Sequence, residues 1–167
     1  QLIIDALTAS STSLTVSNDI GGTDTYLNTT KLREAKKLLD AKNVPPQDRC
    51  VVLHGNNLSS LLSETAVTSS DFNTVKALVA GEIDTWLGFK FIVMGDRAEG
   101  GLTIDGSSDR TIWAFHKSAI GYAEGLALKT EINYIPEKTS HLVNSLLSAG
   151  SVAIDAEGIV QLTCRES

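Results

Sequence analysis

Leu32-Arg33-Glu34-Ala35-Lys36-Lys37-Leu38-Leu39-Asp40 leads through Asn43-Val44-Pro45-Pro46 into Arg49-Cys50-Val51-Val52-Leu53, and this stretch decides the fold. Leu32, Ala35, Leu38 and Leu39 recur at helical spacing. Charged residues fill the positions between them, so one face of a helix is apolar and the other is wet. Asn28, Thr29 or Thr30 supplies a side-chain oxygen to cap its first turn. Asn43 and the proline pair stop it, because a residue before proline is pushed out of the helical region. Arg49–Leu53 is a compact, largely β-branched run, the pattern of a buried strand. A helix, a proline break and a buried strand in close succession predict a mixed α+β fold.

Downstream, Asn56–Ser63 reads as a short helix with Leu58, Leu61 and Leu62 on one face. Ser69-Ser70-Asp71 is placed to cap a further helix over Phe72–Ala80, closed by Gly81. Ile83–Met94 is the most strand-like region, with Gly88 marking a turn or bulge. Arg97–Arg110 is rich in glycine and aspartate and reads as a long, exposed, mobile loop anchored by Leu102 and Ile104 alone. Thr111–Lys117 is expected as a strand, Ser118–Glu124 as a short helix, and Leu128–Ile135, which alternates, as a half-buried strand. Ser140–Ser148 fits either helix or strand. Ser151–Ile154 and Gly158–Cys164 read as a terminal hairpin around Asp155-Ala156-Glu157-Gly158. Upstream, Gln1–Ala9 reads as the end of a helix, Ser10–Val16 as a short strand or linker, and Asn18–Asp24 as a turn. The expected body is a central sheet containing Arg49–Leu53, Phe89–Met94 and Thr111–Phe115, flanked by helices.

Composition narrows the function classes. Of the 167 residues 42% are hydrophobic and 20% charged, enough to build a core and unlike a disordered chain. The net charge is −6, and the basic residues are scattered. Lys31, Arg33, Lys36 and Lys37 form the densest group and read as the solvated face of the helix. Releasing counterions from phosphates needs clustered cations, so no specific nucleic-acid binding is expected. No apolar run approaches the roughly 18–20 residues of a membrane span, and no membrane partner is expected. Cys50 and Cys164 each sit in an apolar run and read as two buried free thiols in a reducing compartment.

The search for chemistry returns little. His54, His116 and His141 each lie beside an apolar run and read as structural. Gly-x-Ser-x-Gly, a Walker-type glycine loop and His-x-x-x-His are all absent from the sequence. Asp19 and Asp24 flank Gly21-Gly22, and Asp105 and Asp109 flank Gly106-Ser107-Ser108. Oxygen ligands of this kind suit hard cations, but Asp with Gly and Ser is also ordinary turn chemistry, which is the reading adopted. Asn28-Thr29-Thr30 and Asn57-Leu58-Ser59 match a glycosylation sequon, with no accompanying sign of secretion. Trp86, Phe89, Phe91, Trp113 and Phe115 are expected in the core. Two rivals remain. A small histidine-dependent enzyme would use one histidine with Asp84, Asp96 or Asp109. An aromatic-lined ligand- or carbohydrate-binding module would need Trp86 or Trp113 exposed.

The order of these pieces resembles the major capsid protein of tailed bacteriophages, the Hong Kong 97-like fold. Leu32–Asp40, Asn43-Val44-Pro45 and Arg49–Leu53 look like that family's helix, proline break and first axial-domain strand. Asn56–Leu62 looks like its next short helix, and Gly81-Glu82-Ile83 with Leu87–Val93 like its "G-x-I…x-G-F-x-V" stretch. Ala114-Phe115-His116-Lys117-Ser118-Ala119-Ile120 is similar to its "A-x-H-x-x-A-I" segment. Ser148–Ile154 and Gly158–Leu162 resemble its closing strands.

The resemblance implies a structural protein that self-assembles with copies of itself into the icosahedral shell enclosing phage DNA. Scaffolding or decoration proteins are the implied further partners. It implies location in the virion after assembly in the bacterial host cytoplasm. It carries no catalytic residue, cofactor or metal. It divides the chain into 1–27, the end of a spine-type helix with its linker; 128–167, the returning peripheral-domain strands; and 28–127, an axial-type domain. The strongly apolar start at Leu2, Ile3, Ile4, Ala6 and Leu7 reads as a chain cut from something longer, lacking the family's N-terminal arm, extended loop and most of the spine helix. On that reading the isolated chain is expected to be a soluble monomer or weak oligomer that does not close shells unaided.

Overall fold

The computed structural model describes residues 1–64, 85–96 and 100–166. Among them are three α-helices and eight strands: α1 (Leu2–Thr8), β1 (Thr15–Val16), α2 (Thr29–Ala41), β2 (Arg49–His54), α3 (Gly55–Ser63), β3 (Thr85–Trp86), β4 (Phe89–Met94), β5 (Asp109–His116), β6 (Ile120–Ile135), β7 (Ser140–Ala153) and β8 (Ile159–Arg165). Six strands form one sheet in the order β1-β8-β5-β2-β4-β3, while β6 and β7 form a separate two-stranded ribbon. The three runs expected in the central sheet are adjacent there: β2 pairs parallel with β4 and antiparallel with β5.

The sheet is covered on both faces, so its central strands are apolar almost continuously. Val51 and Leu53 of β2 point to one side and join Leu32, Ala35 and Leu39 of α2, Phe89, Ile112 and Leu162. Val52 points to the other and joins Ile4 and Leu7 of α1, Trp113, Phe115 and Ile159. α2 begins where its cap was expected: Asn28 Oδ1 accepts from Lys31 N at 2.8 Å. Leu87 and Gly88 both take positive φ, +53° and +85°, and join β3 to β4 in a tight turn.

Several expectations change. Lys31 is wholly buried rather than part of the wet face of α2. Ser118–Glu124 is not a helix. Lys117–Ala119 makes a single 3-10 turn, and β6 starts at Ile120, where pairing with β7 outweighs helical propensity. Leu128–Ile135 belongs to that 16-residue strand and is exposed, not half-buried. Ser140–Ser148 resolves as strand.

The terminal hairpin does not form. Ala153 pairs with Ile120, whereas Ile159 pairs with Phe115, so Asp155–Gly158 carries the chain from one sheet to the other. Gly158 permits that crossing, since a Cβ there would lie 2.7 Å from the Ala119 Cβ. In its described part Arg97–Arg110 is a loop exposed over 103–108, as expected, but it is pinned at more points than Leu102 and Ile104 alone. Leu102 is buried, Ile104 bridges to Arg110, and Asp105 Oδ1 accepts from Ser107 N and Asp109 N, both at 2.9 Å. Arg110 is buried inside β5. The expected helix over Phe72–Ala80 and residues 97–99 lie outside the described residues.

Candidate functional site

The most chemically loaded spot is a corner of the central sheet. β2 ends there at His54, β4 leaves towards Asp96, Arg110 is the second residue of β5, and Glu166 follows β8. Arg110 is buried and engages all three guanidinium nitrogens. Nε donates to Glu166 Oε2 at 2.6 Å, while Nη1 and Nη2 donate to the two oxygens of Asp96 at 2.8 Å each. Nη1 also reaches Leu102 O at 2.9 Å. The second Glu166 oxygen lies 2.8 Å from His54 Nδ1, and His54 Nε2 lies 3.8 Å from Asp96 Oδ2.

Hydrogen bonding from Arg110 holds the Asp96 carboxyl below its ordinary range of ionisation, with the Arg110 and His54 charges adding to the effect. Because the folded carboxylate gives up its charge later than the unfolded one, its contribution is present above the ordinary aspartate pKa and is lost as pH falls through the folded value. Asp96→Asn is therefore expected to be less stable than wild type at pH 6, with the difference closing towards pH 2. Urea titrations at the two pH values check this. A constant difference would show that Asp96 acts by packing rather than by charge.

A second buried polar group sits beneath α2. Lys31 Nζ donates to Thr25 O at 2.7 Å and to Thr163 O at 2.9 Å, tying α2 to β8 and to the preceding loop. Burial pushes its pKa down, opposed by Cys164, Asp109 and Asp19. Cys164 is buried as expected, and burial raises its thiol to about 11. Cys50 differs from expectation in being only half-buried. A thiol reagent at pH 8 should label Cys50 first and reach Cys164 only when the chain unfolds; equal rates in the folded protein would refute the burial of Cys164.

The three histidines are not brought together. His116 Nδ1 lies 2.7 Å from Ser118 Oγ, and His141 stacks at a tilt on Tyr134 with ring centroids 5.3 Å apart. Of the acids weighed with them, Asp96 meets His54, Asp84 lies outside the described residues, and Asp109 instead accepts from Asn18 Nδ2 at 2.8 Å. Asn18 also donates to Asp24 at 3.0 Å, so the two acidic turns do meet, through an amide. Among the described residues no three or more His, Cys, Asp or Glu side chains are placed to hold a metal ion. Trp113 is buried and Trp86 is half-buried against the core, so neither offers the open ring a ligand platform requires. Asn28 caps a helix and Asn57 is buried, which explains both sequon asparagines structurally. No described helix is long and apolar enough to cross a membrane.

The larger feature is a surface. The β6–β7 ribbon runs 14 paired-strand residues on its shorter side, roughly 45 Å at about 3.3 Å per residue. Ile132 lies opposite Val143 and Tyr134 opposite His141, on one face; Leu142 and Leu146 lie on the other. Ile132 is 67% exposed, Val143 60% and Leu147 59%. α1 reaches only the base of the ribbon, where Ser151 Oγ bonds to Leu2 O.

This architecture is found in solved shells. The structure of Mycobacterium phage Che8 aligns with a TM-score of 0.70 at 22% identity, covering 96% of this chain and 56% of that one. The capsid structure of cyanophage P-SCSP1u aligns at 0.66 and 18%, covering 99% and 60%. The acid-stable capsid of Helicobacter pylori bacteriophage KHP30 aligns at 0.68 and 10%, covering 98% and 64%. The chain thus spans less than two thirds of the length of each of these proteins. They define the fold as Hong Kong 97-like. Curated protein sequences yield no match. The sequence model of the phage capsid protein family matches residues 1–166, and the chain belongs to that family.

Proposed function

We propose that this chain is a major capsid subunit, which assembles with copies of itself into the icosahedral shell enclosing phage DNA and works through surface rather than turnover. The observation that carries the reading is the ribbon. A two-stranded hairpin is marginal in water on its own, and this one exposes apolar side chains on both faces. Such a surface suits repeated contacts around symmetry axes. The net charge of −6 suits a container that holds its nucleic acid loosely.

In this reading residues 28–127 form the axial-type domain, 1–27 the end of a spine-type helix and its linker, and 128–167 the returning peripheral part, whose β8 completes the central sheet. The subunit resides in the virion after assembly in the host cytoplasm, with scaffolding or decoration proteins as further partners. The test is assembly of the protein, followed by electron microscopy, with Ile132→Asp and Val143→Asp introduced together. Closed particles are expected to disappear while the circular dichroism of the soluble protein is unchanged. Undiminished particle yield would defeat the reading.

A further inference from the structure

We propose that the open corner between α1 and the central sheet is a binding site for a free single-chain carboxylate, its tail in an apolar cleft and its head on the Lys90 ammonium. α1 sets Ile4 and Leu7 on the sheet face that carries Val52, Trp113 and Phe115. It stops short of β4, where Ile92 stays 38% exposed. Between them lies a cleft of about 320 Å³. Ile4, Val52 and Phe115 are buried and form its floor, while Leu2 and Tyr122, 43% and 55% exposed, stand at its rim. Gln1 and the Tyr122 hydroxyl supply its polar side-chain groups, and no acidic side chain lines it among the described residues. An apolar cavity of about 150 Å³ stays dry and takes up benzene, so this cleft has room for a tail of roughly eight carbons.

The head group is set by charge. Alternation along the strand puts Lys90 on the same side of β4 as Ile92 and Met94. The register places Lys90 beside Cys50 and Ile92 beside Val52, so the lysine stands about 7 Å along the strand from the cleft wall. The Cys50 thiol senses that ammonium: burial raises its pKa, and the Lys90 charge is the leading influence against the rise. Asp48 and Lys117, the other charges felt at Cys50, are of opposite sign. Lys90 is exposed and has no ion-pair partner among the described residues. A carboxylate on an aliphatic tail satisfies both features at once. A neutral hydrocarbon leaves the cation unused, and a bilayer surface does not fit a recess that admits one chain.

The chain has a single methionine, Met94, and it lines the cleft, so a carbon-13 label on its methyl group gives one signal at the site. At neutral pH, octanoate below its micelle concentration should move this signal saturably. Hexanoate, two methylenes shorter, should bind about tenfold more weakly. 1-Octanol, with the same tail and no charge, should bind about threefold more weakly than octanoate, and Lys90→Gln should abolish that difference. Ile92→Trp, which fills the cleft, should remove the response to both, and phosphatidylglycerol vesicles should leave the signal in place. A Met94 signal that octanoate does not move overturns the proposal. So does a response that survives Ile92→Trp, that ignores tail length, or that comes from vesicles instead. Octanoate bound no more tightly than octanol, or as tightly after Lys90→Gln, overturns it as well.

Discussion

Arg110→Ala is expected to destabilise the protein by about 3–5 kcal/mol, the cost of removing one partner from a buried ion pair. Glu166 is buried and would lose the Arg110 Nε contact at 2.6 Å; Asp96 would lose both of its guanidinium bonds. Leu102 O would lose its donor as well. Against a typical total of about 5–15 kcal/mol, such a loss threatens folding itself. Most of the damage comes from the stranded charge, not from the net worth of the pair. Arg110→Met combined with Glu166→Leu should therefore recover much of it, because well-packed apolar replacements of a buried pair are often neutral. Urea denaturation of the single and double variants decides the matter. A single-variant loss below about 1 kcal/mol would mean that water already reaches the guanidinium.

Phe89→Ala should cost about 3–5 kcal/mol, the range for deleting a buried aromatic ring and leaving part of its space empty. Phe89 is wholly buried in the cluster that joins α2 to the sheet. On the same strand Val93 is 51% exposed, and Val93→Ala should stay within about 0.5 kcal/mol. Phe89 and Val93 lie on the same face of β4, so the contrast tests where along the strand the core ends. Equal losses would show that Val93 is packed into the core as Phe89 is.

Local chemistry was legible in the residues. The helical spacing of Leu32, Ala35 and Leu39, the Asn28 cap and the β-branched run after Pro46 each act within a few residues, and each element formed where expected. The tandem of Ala114–Ile120 was half legible. Its strand was clear, but the turn that follows depends on Ala119 O receiving both Ile154 N and Asp155 N, contacts more than thirty residues away.

The family and the central sheet were therefore within reach of the sequence, because periodicity, capping and proline breaks are short-range and their order along the chain is a signature. What only the tertiary structure decided is where long-range partners meet. Lys31 reads as a solvated cation until two backbone carbonyls converge on its ammonium. Nothing in the spacing of Arg110 and Glu166, 56 residues apart, announces their bond, nor that His54 closes on the same carboxylate. β8 looks like the second arm of a hairpin until it pairs with β5 and frees β7 to pair with β6. Strand pairing and the satisfaction of buried charge are settled by the whole packed chain, since each requires a partner that sequence distance does not identify.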